Sequence, residues 1–263
     1  MNEFIEIQTE GALTTLWLNR PEVHNAFSSR LVIELSEAFD RIAGDAAIRV
    51  VVIAARGKSF SAGGDIGEMK AAGQASMEEN MVGAQRFAET LRTIAQLNKP
   101  TIARVQGAAL GGGMGLAAAC DICIASNNAS FATSEVRFGV IPAIISPYVI
   151  RAIGERQAAR YFLTAERIGA ARAAELGLVH ECVPADALDA KVAEIVAALL
   201  QGGPKAQAAA KDLIRTVIHR PLDDALLSET SFRIANQRAQ SEADEGLSAF
   251  LEKRAAAWVP PKG

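Results

Sequence analysis

Two glycine-rich segments hold the backbone best able to do chemistry. SFSAGGDIGEM (59–69) follows the unalternated apolar run Val50-Val51-Val52-Ile53, and GAALGGGMGL (107–116) follows Thr101–Val105. Each puts glycine at the corner where a strand passes into a helix. Glycine there lets the backbone lie close to a ligand. The first N–H groups of the helix have no internal partner, so they can bind negative charge developing on an oxygen. The plainer alternative, that glycine only eases a tight turn, accounts for one such loop more readily than for two.

A nucleotide is a poor match. Gly113, Gly115 and Ala118 spell GxGxxA, with Glu135 beyond them. Only about eight residues separate Gly113 from the next strand at Asp121, too few for the crossover helix of a roughly 30-residue βαβ unit. No Lys-Ser or Lys-Thr follows the glycines, which excludes a P-loop. A metal is also unexpected. Cys120 and Cys123 form a CxxC, but DICIAS (121–126) reads as a strand in which residues three apart point to opposite faces, so these thiols and Cys182 read as buried core residues. His24, His180 and His219 are isolated, with no HxxxH or HExxH spacing.

Composition narrows the partners. The 263 residues are 50% hydrophobic and 22% charged, with a net charge of −3, which suits one globular unit and lacks the positive field that nucleic acid or anionic lipid requires. The longest uncharged stretch, between Arg104 and Asp121, is 16 residues with five glycines, short of the ~18 apolar residues of a membrane span. The N-terminal MNEFIEIQTE is acidic and alternating rather than signal-like, so a cytoplasmic protein is expected.

Periodicity supplies the elements that position the glycine loops. Residues 4–7 and 13–18 alternate around Glu10-Gly11 as a hairpin, and Leu31, Leu35, Phe39 and Ile42 recur at helical spacing. The run Val50-Val51-Val52-Ile53 has the composition of a strand covered on both faces. A loop, helices to about Leu97, the strand Thr101–Val105, the second glycine loop, a short helix and a strand near 122–125 follow. Beyond Pro142 the pattern is helical, at 155–163, 170–175, 186–200, 204–218, 222–239 and 242–257, with 178–182 a candidate strand. The expected organisation is an α/β core over residues 1–200 and a helical region over 201–263.

In order and spacing, LNRPEVHNAFS (18–28), SFSAGGDIGEM, VQGAALGGGMGLAAACDICIAS (105–126), FATSEVRFGVIP (131–142) and AFLEKR (249–254) resemble the crotonase, or enoyl-CoA hydratase/isomerase, superfamily over nearly the whole chain. The resemblance implies an α/β spiral of ββα modules with a C-terminal α-helical trimerisation region. It also implies a homotrimer or dimer of trimers, and a coenzyme A thioester as substrate with no separate cofactor. It assigns the two oxyanion-hole N–H donors to Ala62 and Gly112 and a catalytic carboxylate to Glu135, whose plainer reading is a surface loop residue. His24, Ala26, Gly64 and Gly111 line the substrate by the same resemblance, Asp65 and Ile66 lie beside the adenine, and Phe250 and Lys253 reach the CoA of a neighbouring subunit. A charged residue such as Lys253 on an exposed helix is otherwise simply solvated.

Two departures bear on the reaction. Hydratases of the superfamily use two glutamates, and the position of the first is Gly115 here. The stretch after Pro142 is AIISPY (143–148) rather than a glycine-rich GAGG type, a bulkier lining for the acyl pocket that looks like a bacterial branch acting on methylglutaconyl-CoA-like thioesters. In that branch Arg151 would face a distal carboxylate, although a solvent-facing helix arginine is the plainer reading. Hydration of a 2-enoyl-CoA is the leading expectation, a Δ3,Δ2-enoyl-CoA isomerase the alternative, and a non-catalytic acyl-CoA binder the third.

Overall fold

A computed structural model describes residues 3–260. The chain opens on the antiparallel pair β1 (Ile5–Glu10) and β2 (Leu13–Leu18), then α1 (Ser29–Gly44), whose N-terminus is capped by Ser28 Oγ accepting from the Leu31 N–H at 3.2 Å. Next come β3 (Val50–Ala55), α2 (Ile66–Ala72), α3 (Met77–Gln96), β4 (Thr101–Val105), β5 (Ala108–Leu110), α4 (Gly112–Ala119), β6 (Ile122–Ser126) and β7 (Ser130–Ala132). A 3-10 turn at Glu135–Phe138 leads to α5 (Ser146–Ile153), α6 (Glu155–Thr164), β8 (Ile168–Gly169), α7 (Ala170–Glu175), β9 (Glu181–Val183) and α8 (Leu188–Gln201). Three further helices follow: α9 (Pro204–Val217), α10 (Asp224–Arg238) and α11 (Ser241–Leu251).

The larger sheet has the order β1-β2-β3-β4-β6-β9, parallel except for the first pair. Strand alternation splits the continuous apolar run of β3 between two cores. Val51 and Ile53 pack with Leu35, Phe39, Leu91 and Leu116 on one face, while Val50 and Val52 meet Ile102, Ile124, Val192 and Val196 on the other. In a smaller sheet, β5-β7-β8, the first strand lies inside the second glycine loop. Its strands of two or three residues are too short to carry a period, and hydrogen bonds rather than side-chain pattern define them.

The helices after α8 are tied to the core by half-buried cations. Lys211 Nζ on α9 donates to Asp121 Oδ2 at 2.6 Å and to the Lys99 carbonyl at 2.9 Å, and the same Asp121 oxygen accepts from the Thr101 N–H and hydroxyl, each at 2.8 Å. Arg49 reaches the Leu200, Gly202 and Trp258 carbonyls. The helix expected over 242–257 stops at Leu251 because Glu245 draws the chain back. It pairs with Arg254 at 2.7 Å and accepts from the Ala257 N–H at 2.7 Å, after Lys253 has turned to φ 55°.

Cys120 and Cys123 are buried free thiols, and burial pushes Cys123 up to about 12. Among the described residues, no cluster of three His, Cys, Asp or Glu side chains has a metal-binding arrangement, and no helix is long and apolar enough to cross a membrane.

Candidate active site

The two glycine loops meet through backbone hydrogen bonds. Ser61, in the loop after β3, bridges to Ala109 of β5: its N–H donates to the Ala108 carbonyl and its carbonyl accepts from the Leu110 N–H, both at 2.9 Å. The Gly111 N–H donates to Ala132 of β7 at 2.8 Å, which fixes the corner from its other side. Gly111 has φ +47°, a region open to glycine, and a β-carbon there would lie 3.0 Å from Glu135 Oε1 and 3.7 Å from the Gly63 Cα. Three segments far apart in sequence therefore converge on the N-terminus of α4.

The hydrogen-bond pattern of the first loop identifies which N–H is open. The Ala62 N–H donates to the His24 carbonyl at 2.9 Å, so it is committed within the fold. Phe27 then pairs with Gly64 in a parallel bridge, its N–H donating to the Gly63 carbonyl at 2.7 Å and its carbonyl accepting from the Asp65 N–H at 2.9 Å. In such a bridge the intervening peptide points the other way. The Gly64 N–H has no acceptor among the described residues. This corrects the assignment of the donor to Ala62, since an N–H already bonded inside the protein offers no free proton to a ligand. Gly112 stands at the first position of α4, where an N–H lacks an intrahelical partner, and it too has no acceptor among the described residues. The Phe27 and Phe87 rings, 4.9 Å apart, close over it: each has an atom 3.1 Å from where a Gly112 β-carbon would be.

Glu135 begins the turn after β7 and is half-buried. Its Oε2 is shielded from solvent and has no hydrogen-bond partner among the described residues. Burial pushes its carboxyl above the ordinary glutamate range, against a smaller opposing effect of its own backbone. A buried acceptor without a partner is costly, and a carboxylate in that state is chemically able to take up a proton.

The lip of the site is held by Arg20 and Asp65. Arg20 Nη1 donates to the Ala26 carbonyl at 2.7 Å, its Nη2 stands 3.4 Å from Asp65 Oδ2, and its guanidinium lies 4.5 Å from the Phe4 ring centre. Asp65 Oδ1 caps α2 by accepting from the Gly67 N–H at 3.0 Å. His24, in the left-handed region at φ 53°, places Nδ1 3.1 Å from Ser59 Oγ, and Ile66 projects from α2 at 75% exposure. Phe250, 80% exposed, and Lys253 stand outside this cluster, on and just after α11, a helix packed on α10. Arg151 is exposed in the last turn of α5.

At Gly115 no side chain enters the site. A β-carbon there would lie 2.1 Å from Ile145 Cγ2 and 2.6 Å from Ile145 Cβ. Sequence reasoning did not single out Gly64 as a donor, nor Arg20, Phe27, Phe87 or Ile145. The open state of the Gly64 N–H is invisible in SAGGD because it depends on the partners of its neighbours.

A family model described as enoyl-CoA hydratase/isomerase matches residues 8–260. The fold superposes on an enoyl-CoA hydratase structure from Shewanella pealeana with a TM-score of 0.95 at 38% identity, over 98% of this chain and 96% of that one. A candidate enoyl-CoA hydratase/isomerase (crotonase) from Legionella pneumophila gives 0.92 at 42% identity, over 97% and 98%. In sequence the chain is 34% identical to a crotonyl-CoA hydratase of Syntrophomonas wolfei over 263 residues, covering 98% of each. The expected mixed α/β architecture is that of these solved enzymes, and the chain belongs to the enoyl-CoA hydratase/isomerase family of the crotonase superfamily.

Proposed function

We propose that the protein adds water to a 2-enoyl-CoA thioester, with the Gly64 and Gly112 N–H groups holding the thioester oxygen and Glu135 moving the protons. The observation that carries this reading is the convergence of two unpaired N–H groups and one partnerless carboxylate on the N-terminus of α4. Ionised Glu135 takes a proton from water as the water oxygen bonds to C3. The C2–C3 π pair moves toward the thioester, and its oxygen becomes an enolate held by the two donors. The enolate then collapses as C2 takes the proton from Glu135, which returns the carboxylate. Each preorganised donor is worth about 2.7–4 kcal/mol of barrier. A binder without turnover gains nothing from an unpartnered buried carboxylate.

The single carboxylate favours a second reading. An isomerase needs one base to remove a proton from C2 of a 3-enoyl thioester and return it to C4, with the same oxyanion site. Incubation with 2-enoyl- and 3-enoyl-CoA panels in H2-18O separates these readings. Labelled 3-hydroxyacyl-CoA is the expected product; unlabelled interconversion of the double-bond isomers replaces hydration with isomerisation, and no turnover of either panel leaves the binder.

The assembly is proposed as a homotrimer or a dimer of trimers, with Phe250 and Lys253 reaching a neighbour's CoA. Large apolar side chains on the C-terminal helices support it, among them Ile214 at 63%, Phe232 at 68% and Leu251 at 78% exposure. Sedimentation is expected to give a multiple of three chains, and a fully active monomer would overturn those contacts.

A further inference from the structure

The inner face of α4 passes through Gly112 and, one turn later, Gly115. Cα–Cβ bonds in a helix tilt toward its N-terminus, so a side chain at 115 would lean toward the Gly112 N–H and whatever that N–H holds. The helix offers none. The space is taken from the start of α5, where the N-cap residue Ile145 puts Cγ2 and Cβ 2.1 and 2.6 Å from where a β-carbon at 115 would be, separations that carbon atoms do not adopt. Ile145 is 2% exposed and belongs to the same core as Phe27, Met114 and Val149. It is therefore wedged and cannot swing aside at low cost. Glu135 lies against Gly111, the residue before the donor, and Ile145 against Gly115, the turn after it. Along α4 the donor is flanked by a carboxylate on one side and an aliphatic wall on the other.

Building on the hydratase/isomerase reading, we propose that Ile145 is the residue that makes this a one-carboxylate site: it supplies from α5 the wall that α4 withholds at 115, and leaves every proton transfer to Glu135. Gly115 and Ile145 then act as a unit. A side chain at 115 and a branched side chain at 145 exclude each other, and opening one position is useful only if the other is filled.

The experiment reads packing and chemistry separately. In thermal unfolding, Gly115→Ala alone is expected to lower Tm by about 5–10 °C, as overpacking does in a chain of this size. With Ile145→Gly present, the same Gly115→Ala is expected to cost less than about 2 °C. Equal costs in the two backgrounds overturn the exclusion. This cycle needs no substrate, so it stands apart from whether the thioester reading is right. For the chemistry, Glu135→Gln is made in the native background and together with Gly115→Glu/Ile145→Gly. The carboxylate at 115 is expected to restore turnover of the same enoyl-CoA at least about tenfold over Glu135→Gln alone, the lower part of what a positioned acid–base group contributes. A folded triple variant no faster than Glu135→Gln overturns the claim that Ile145 keeps a second proton-transfer group out, since a merely structural residue gives no such rescue.

Discussion

Glu135→Gln is expected to lower kcat by about 10²–10⁴-fold while acyl-CoA binding, measured by calorimetry, stays near that of the native protein. Glutamine keeps the size of the side chain and its contact with Gly111 but cannot accept a proton. The same substitution is expected to stabilise the fold. Glu135 is half-buried with Oε2 unpartnered, and burial holds its carboxyl above the ordinary range. A folded-state value raised above the unfolded one means that the folded protein binds the proton more tightly. The group's contribution is thus intact below the unfolded value and is lost as pH rises through the folded one. Above that interval Glu135→Gln escapes the loss, so its Tm at pH 8 should exceed the native value, while at pH 4 the two should coincide. Activity runs the opposite way in the native protein. The base must be ionised, so the acid limb of kcat/KM should lie at higher pH than an ordinary glutamate would set. Full turnover by a folded Glu135→Gln would remove the residue from the mechanism. An unchanged Tm at pH 8 would show that its buried oxygen carries no penalty.

Parts of the fold and of the site were legible in the sequence, and parts were not. β3 was readable because six buried residues in a row leave no alternation, and the structure covers both faces of that strand. The glycine corners were readable because glycine marks where backbone must come close, and Gly111 and Gly112 stand where the second corner was expected. Glu135 was identified by its flanks, but its lack of a partner is a three-dimensional fact. The Ala62 assignment failed for a related reason: the His24 carbonyl that occupies its N–H belongs to a loop 38 residues earlier, and its left-handed turn is not encoded by any periodicity. Ile145 was part of a segment read as bulky, yet its contact with Gly115 joins positions thirty residues apart that only packing brings together. Local pattern recovered the strands and corners. Nonlocal hydrogen bonds and packing decided which N–H and carboxylate groups are left without partners.

The sharpest consequence of those nonlocal bonds is that two backbone protons, two residues apart, should behave oppositely. Proline deletes an N–H. At Gly112 it enters the first position of a helix, where the missing N–H costs the helix nothing and φ is already suitable. Gly112→Ala is the matched control: it adds a β-carbon against the same Phe27 and Phe87 atoms at 3.1 Å and keeps the donor. Gly64→Ala is the control for Gly64→Pro, because its β-carbon meets only the movable Met69 side chain, Sδ at 2.9 Å and Cγ at 3.3 Å. Relative to their alanine controls, Gly112→Pro and Gly64→Pro are each expected to lose about 10²–10³-fold in kcat, the cost of one oxyanion donor, with a smaller change in acyl-CoA affinity. Ala62→Pro removes instead the bond to the His24 carbonyl. It is expected to lower Tm by a few degrees, in line with the roughly 1 kcal/mol of one hydrogen bond, and to leave kcat of the folded protein nearly unchanged. The reverse pattern, with turnover lost at Ala62 and kept at Gly64, would return the donor to Ala62 and require the His24 bond to open when substrate binds. Loss at neither position would take the thioester oxygen away from this corner altogether.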